Sequence, residues 1–270
     1  MYLTIDIGGT KTLIAIFNRN GRLIKRLKIV TNKNYQGFLK DLTKSIEHLK
    51  FYNFIAICIA MPGIIDKGSG RVIYGGGNIY WKDANLVTYL SNIYNCPVFI
   101  GNDADLAGLY ESVYYKNSFS RVLYLTISTG IGGSYYVNQR ANDQLTNFEP
   151  GKIVLEHNGQ KLDWETFASG KSIVETYGKF ARQIRDEKTW EEIAENISEG
   201  LFVIIPVLQP ELIAFGGSIG VFFERYGKYL SKMIDDELNS AIPRPRLLQA
   251  NKPDEAVIYG CYELIKLKSI

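Results

Sequence analysis

The sequence has few of the residues that build disulfide frameworks and metal centres. It contains three cysteines and two histidines in 270 residues. Cys58, Cys96 and Cys261 lie in apolar runs and lack the spacing of metal ligands. We therefore expect reduced, buried thiols and no disulfide framework.

The sequence also lacks a charge imbalance and a long hydrophobic run. Its formal net charge of +3 is spread along the chain, which argues against the basic surface of a nucleic-acid-binding protein. The first apolar run is broken at Asp6, unlike a signal peptide, and no run approaches the roughly 18 apolar residues of a membrane span. We expect a soluble, cytoplasmic protein that binds neither nucleic acid nor membranes.

What is present indicates an α/β protein. Apolar residues make up 46% of the chain, enough for a sizeable core, and 270 residues suit two lobes. Two strands joined by a tight Asn20-Gly21 turn follow the first strand. A helical period follows in NYQGFLKDLTKSIEHLK, a buried strand in FIAICIA and a terminal helix in PDEAVIYGCYELIKLKS.

Three glycine-rich turns follow apolar strands, in DIGGTKT, STGIGGS and AFGGS. The first two resemble each other, and this weak repeat predicts two similarly built lobes that offer their turns to a shared cleft. Glycines expose backbone N–H groups, Thr10 and Lys11 add a hydroxyl and a charge, and Asp6 could hold Mg²⁺ through water. An ordinary hairpin is the alternative for the first turn alone. Three such turns favour a nucleotide, although none has the spacing of a P-loop.

An acidic segment, GNDADLAGLYE, stands where a strand runs into a helix. Phosphoryl transfer to an alcohol needs a carboxylate that orients and deprotonates the hydroxyl, and Asp103 is the candidate. Capping of the helix by Asn102 or the acids is the alternative. Asp105 is interpreted as a cap or a surface acid.

In their order and spacing these motifs resemble those of the ROK family (repressors, open reading frames and kinases) of the actin-like ATPase superfamily. AMPGIID, which carries Gly63, resembles a further family loop. The resemblance spans nearly the whole chain. It implies a two-lobed, ribonuclease-H-like α/β fold in which each lobe is a mixed sheet flanked by helices, with a cleft between the lobes. The expected small lobe is 1–112, with the helix of about 252–270 packed back on it, and the large lobe is 113–251.

The resemblance also implies a function, the ATP-dependent transfer of the γ-phosphoryl group to a hexose hydroxyl, usually the 6-hydroxyl, with Asp103 as the base. Mg²⁺ near Asp6 and a homodimer are implied as well. The implied ATP-binding residues are Asp6, Gly8, Gly9, Thr10, Lys11, Thr129, Gly130, Gly216 and Gly217. The implied sugar-binding residues are Gly63, Asn78, Asn102, Asp103, Glu149, Lys152 and Glu165.

Two departures from the family pattern affect the predicted sugar site. EPGK keeps Glu149 but has Lys152 where the family has a histidine, so the choice of sugar stays open. The segment HNGQKLDWETFASG has none of the cysteines of the family's zinc motif, and His157 alone cannot build a tetrahedral site. We expect no structural zinc, a loop held by packing of Trp164 and Phe167, and Glu165 still presented to the sugar.

Two further interpretations stay in view. A sugar-binding sensor or scaffold without phosphotransfer would explain Lys152 and the missing cysteines. A DNA-binding repressor is disfavoured, since the sequence given starts one residue before the first strand.

Overall fold

The computed structural model describes residues 1–51, 53–66, 69–76, 79–81, 84–141 and 148–268. It divides into two compact units, Met1–Tyr110 with Val257–Ile270, and Glu111–Ala256. The strands are β1 (Tyr2–Ile7), β2 (Lys11–Phe17), β3 (Leu23–Val30), β4 (Ala56–Met61), β5 (Gly63–Asp66), β6 (Arg71–Gly75), β7 (Val98–Asn102), β8 (Arg121–Ile127), β9 (Ile131–Val137), β10 (Arg140–Ala141), β11 (Val154–His157), β12 (Gln160–Asp163), β13 (Leu212–Gly216) and β14 (Arg246–Gln249). The helices are α1 (Tyr35–His48), α2 (Leu86–Tyr94), α3 (Asp103–Tyr114), α4 (Trp164–Ala168), α5 (Gly170–Tyr177), α6 (Glu187–Leu208), α7 (Gly217–Gly220), α8 (Phe223–Glu237) and α9 (Ala256–Lys268).

The first unit is built on a five-stranded sheet in the order β3-β2-β1-β4-β7. β1 pairs antiparallel with β2 and parallel with β4, which in turn is parallel to β7. All six residues of β4 are buried, as expected of a central strand covered on both faces. Because the carboxyl ends of parallel strands meet at one edge, the residues that follow β1, β4 and β7 come together there.

Local sequence signals explain several elements of the first unit. Gly21, in the turn between β2 and β3, has φ +77°, a conformation that glycine adopts without steric cost. The Asn34 side chain caps α1 by accepting the Gly37 amide at 2.9 Å. α1 then buries Phe38, Leu42 and Ile46 on one face, as its helical period predicts.

The second unit repeats the arrangement, with strand order β10-β9-β8-β13-β14. β8 is antiparallel to β9 and parallel to β13. The two sheets thus share one topology, which confirms the predicted pair of mixed sheets flanked by helices.

The core of the second unit centres on Trp164, which is 0% exposed. Its indole donates to the Asn196 carbonyl of α6 at 3.1 Å, and α6 comes close to the ring at Gly200, where a methyl group would overlap the indole. Trp164 is therefore a core residue, as expected.

The three cysteines are free thiols, with Cys58 and Cys261 buried. In the described part of the chain, no helix combines the length and the apolar character needed to cross a bilayer.

Candidate active site

The first glycine turn lies between β1 and β2, and its three carbonyls are all occupied. The Gly8 carbonyl accepts the Thr31 hydroxyl at 2.7 Å, the Gly9 carbonyl accepts the Lys33 ammonium, and the Thr10 carbonyl accepts the Thr31 amide at 2.9 Å. The amides of Gly9 and Thr10, in contrast, donate to no group in the described residues. The turn therefore presents free donors to an anion.

The first residue of β2, Lys11, is hydrogen-bonded to this turn. The Gly8 amide donates to the Lys11 carbonyl at 3.0 Å, and the Lys11 side chain is exposed. The Thr12 and Thr31 hydroxyls lie 2.9 Å apart. Because the Thr31 proton goes to Gly8, Thr12 is the donor in that pair.

Asp6 and Asp103 come from the ends of β1 and β7, at the edge where the parallel strands end. Burial, and then the charge of Asp103, raises the pKa of Asp6 to about 7. Burial also raises the pKa of Asp103, and the charge of Asp105 adds to this effect. Asp6 and Asp103 are both partly exposed as whole residues. A pair of acids with raised pKa values is typical of a functional site.

Asn102 caps α3, which supports the structural alternative for this residue. Its Oδ1 accepts the amides of Ala104 and Asp105 at 2.8 and 3.2 Å, and its Nδ2 donates to the Gly63 carbonyl at 3.1 Å. The cap fixes Asp103 at the start of the helix, where Asp103 Oδ1 accepts the Ala104 amide at 2.8 Å. The Nδ2 bond joins Asn102 to Gly63, the first residue of β5.

The second glycine turn, between β8 and β9, is organised by Ser128. The Ser128 carbonyl accepts the Gly170 amide at 2.6 Å, and its hydroxyl accepts the Ser218 amide at 2.9 Å. The third turn, at Gly216 and Gly217, therefore adjoins the second. A methyl group on Gly217 would lie 2.7 Å from Ser128 Oγ, so a side chain there would break this contact.

The second turn also has free donors. Within the described ranges, the amides of Thr129 and Gly130 donate to no group. The Thr129 side chain is exposed. Both units thus carry a glycine turn with two free amides in succession.

Glu165 lies against the second turn. Its Oε2 accepts the Ile131 amide at 3.1 Å, and its Oε1 accepts the Lys152 ammonium. Lys152 also lies 3.6 Å from the Asp163 carboxylate. The hydrogen bond to Glu165 raises the pKa of Lys152, so this lysine is cationic at neutral pH.

Two other residues are predicted to bind the sugar, Glu149 and Asn78. Glu149 precedes a short 3-10 helix, Pro150–Lys152, and is exposed. Asn78 lies outside the described residues.

The segment that replaces the zinc motif is a β-hairpin, β11 and β12, followed directly by α4. His157 Nδ1 lies 2.7 Å from Glu199 Oε1 of α6, and His157 Nε2 lies 3.0 Å from Nδ2 of the Asn158 side chain. The imidazole stacks on Phe167 with ring centroids 4.0 Å apart and planes at 4°. With both ring nitrogens engaged and no thiolate in the segment, these residues do not fit a tetrahedral zinc ion.

Sequence reasoning missed this hairpin and the residues that hold it. The signal was available, because Asn158-Gly159 is the strongest dipeptide signal for a tight hairpin turn, and both residues have positive φ. Thr31 and Lys33 were also missed, since nothing local marks them as neighbours of the first turn. Among the residues described, no group of three His, Cys, Asp or Glu side chains could hold a metal ion.

Comparison with known proteins places these features in context. The sequence profile of the ROK family matches residues 2–268. A fructokinase of Lactococcus lactis subsp. cremoris is 26% identical over 235 residues, covering 81% of this chain and 79% of that protein. The xylose repressor of Bacillus spizizenii is 31% identical over 134 residues, which cover 46% of this chain but only 34% of the repressor. The crystal structure of a ROK family glucokinase from Streptomyces griseus in complex with glucose and AMPPNP has a TM-score of 0.80 at 20% identity, covering 97% and 98% of the two chains.

Proposed function

This chain belongs to the ROK family, and on that premise we propose that it is an ATP-dependent kinase that phosphorylates a hydroxyl of a hexose, the 6-hydroxyl in the first instance. The observation that carries the proposal is that Asp103, a carboxyl with a raised pKa, and the first glycine turn, with two free amides, lie at one end of one sheet. A base and a phosphate cradle so combined suit phosphoryl transfer.

The nucleotide's phosphates would be bound by the two glycine turns. Among the described residues the amides of Gly9 and Thr10, and those of Thr129 and Gly130, have no acceptor, so each turn offers two donors to phosphate oxygens. Gly216 and Gly217 adjoin the second turn and would approach the nucleoside. Support comes from the glucokinase of similar fold, which binds AMPPNP.

Asp103 would act as the general base. Its Oδ1 is held by the Ala104 amide, which leaves Oδ2 to take the proton of the acceptor hydroxyl. The raised pKa brings the carboxylate closer in basicity to the hydroxyl it must deprotonate.

A magnesium ion would be held beside Asp6. Burial and the neighbouring Asp103 charge hold the pKa of Asp6 at about 7, and a nearby cation would relieve that repulsion. Asp6 would hold the ion through water, since Mg²⁺ retains much of its water shell in proteins. When bound, Mg²⁺ supplies charge neutralisation to the phosphate oxygens.

The acceptor sugar would be bound by Glu165, Glu149, Lys152, Asn102, Gly63 and Asn78. The Lys152–Glu165 pair offers a donor and an acceptor side by side, which matches adjacent sugar hydroxyls. Relatives include a fructokinase and a glucokinase, so the proposal extends to hexoses as a class. We also propose that the protein is cytoplasmic and forms a homodimer.

The test is a coupled ADP-release assay with Mg²⁺-ATP and a panel of hexoses and N-acetylhexosamines. We expect sugar-dependent ADP release, and a loss of turnover on the order of 10²–10⁴ in Asp103→Asn. Asp105→Asn is the matched control, because it removes a carboxylate two residues away. Binding of sugars by calorimetry without ADP release on any of them would instead favour the sensor, a role for which the repressor relatives give precedent.

A further inference from the structure

We infer that Lys33 is a positioning residue of the first phosphate turn, Gly8–Thr10. Its ammonium holds the Gly9 carbonyl, and through that peptide it directs the Thr10 amide toward the nucleotide's phosphate. The inference rests on the proposed function, because it assumes that the turn binds a phosphate.

The argument begins with the geometry of the peptide unit. In a trans peptide the C=O of one residue and the N–H of the next point in opposite directions. Fixing the Gly8 carbonyl therefore fixes the Gly9 amide, and fixing the Gly9 carbonyl fixes the Thr10 amide. The Thr31 hydroxyl fixes the Gly8 carbonyl with a hydrogen bond of 2.7 Å, and the Lys33 ammonium fixes the Gly9 carbonyl.

Without such contacts the turn would have freedom to flip. Glycine populates positive and negative φ about equally, so the peptides on either side of Gly9 have several accessible orientations. Only orientations with the carbonyls on the side of residues 31–33 leave both amides free for an anion. The Thr31 hydroxyl and the Lys33 ammonium select these orientations before the ligand arrives, which reduces the entropic cost of binding.

The backbone of Lys33 is itself fixed from the core. The Trp81 indole donates to the Lys33 carbonyl at 2.8 Å. Trp81 is 4% exposed and packs on Phe38 with ring centroids 4.4 Å apart. The exposed Lys33 side chain thus extends from a backbone position that a buried residue holds.

Two properties separate this role from a structural one. The Lys33 side chain is exposed, so its hydrogen bond to the Gly9 carbonyl should contribute little to the free energy of unfolding. Its charge also adds a positive potential beside the site that a polyanion would occupy. Loss of Lys33 should therefore reduce nucleotide affinity while sugar affinity and folding are kept.

The experiment compares Lys33→Met, Lys33→Arg and the control Lys40→Met, which removes an exposed lysine of α1 in the same unit. Calorimetry gives the Kd of Mg²⁺-AMPPNP and of the accepted sugar, and thermal unfolding gives Tm. We expect Lys33→Met to weaken AMPPNP binding roughly tenfold or more, the usual effect of losing a charged hydrogen bond. Lys33→Arg should restore most of the affinity, and sugar Kd and Tm should match those of Lys40→Met.

The outcomes separate this inference from the proposed function. AMPPNP affinity in Lys33→Met equal to that in Lys40→Met would overturn the inference while leaving a kinase in place. Equal losses of AMPPNP and sugar affinity would assign Lys33 a general structural role and also overturn it. A wild-type protein that binds AMPPNP through Lys33 but phosphorylates no sugar would refute the kinase and support the inference. Absence of AMPPNP binding by the wild type would refute both.

Discussion

The Lys152 ammonium donates a hydrogen bond to the Glu165 carboxylate, whose other oxygen accepts the Ile131 amide. The lysine that stands at the family's histidine position is thus joined to the glutamate proposed to bind the sugar. This contact links the 3-10 helix, the second glycine turn and α4 in one polar group.

Replacing Lys152 by Met should weaken sugar binding without unfolding the protein. The ammonium is largely exposed, so the change in the free energy of unfolding should stay within about 1 kcal/mol. Glu165 would lose the partner that fixes Oε1, and the sugar KM should rise about tenfold. Steady-state kinetics and thermal unfolding check this, with Lys161→Met of β12 as the control. A lower Tm with unchanged KM would contradict the assigned role.

Gly130→Ala should displace the Glu165 carboxylate at Oε2, the oxygen that does not contact Lys152. A methyl group on Gly130 would overlap Glu165 Oε2, so the glutamate must move away from the Ile131 amide. We expect a weaker sugar affinity, measured by calorimetry. In a double-mutant cycle the combined Gly130→Ala, Glu165→Ala variant should be no worse than Glu165→Ala alone. Full additivity would indicate that the glycine acts elsewhere.

The stability of the β11–β12 hairpin should depend on His157 and should not change when a chelator is added. His157→Ala removes the contact with Glu199 and the stack on Phe167, which together should cost about 1–2 kcal/mol of unfolding free energy. His48→Ala, at the exposed end of α1, is the control. A Tm that falls on treatment with a chelator would indicate a bound metal and contradict this account.

The free energy of unfolding should decrease as pH rises, because Glu111 is buried. This side chain of α3 is 0% exposed. Burial raises its pKa from the ordinary 4.5 to about 8, and the Asn251 backbone offsets this only in part. The folded protein therefore binds a proton that the unfolded chain has released, so stability declines as pH rises from about 4.5 through 8.

Glu111→Gln should remove that pH dependence. The variant should match the wild type near pH 5 and exceed it at pH 9, by roughly 3–5 kcal/mol at most. Thermal unfolding across this range measures the difference, and Glu237→Gln on the exposed face of α8 is the control. Parallel curves for wild type and Glu111→Gln would refute the prediction.

The pH dependence of catalysis should report the raised pKa of Asp103. A general base works only when ionised, so kcat/KM should fall as pH decreases through that pKa, above the ordinary aspartate value of 3.8. Since the Asp105 charge contributes to the shift, Asp105→Asn should move the inflection to lower pH. A profile measured from pH 4 to 9 checks both statements. An inflection that stays in place would show that Asp105 does not act on the base.

The sequence by itself determined the elements whose signals are local. The period of α1, the Asn20-Gly21 turn, the buried run of β4 and the glycine turns each depend on neighbours within a few residues. The repeated Ser/Thr-Gly-Gly motif likewise predicted two similar sheets. Family motifs, read in order, supplied the candidate acids and turns.

Tertiary structure decided which of these residues meet. Lys33 reaches Gly9 from 24 residues away, and Lys152 reaches Glu165 across the β11–β12 hairpin. Such contacts depend on strand order and register, which no local pattern encodes. The same holds for the carbonyls of the first turn. Glycine made the turn possible, but the neighbouring segment at residues 31–33 determines which way its peptides point.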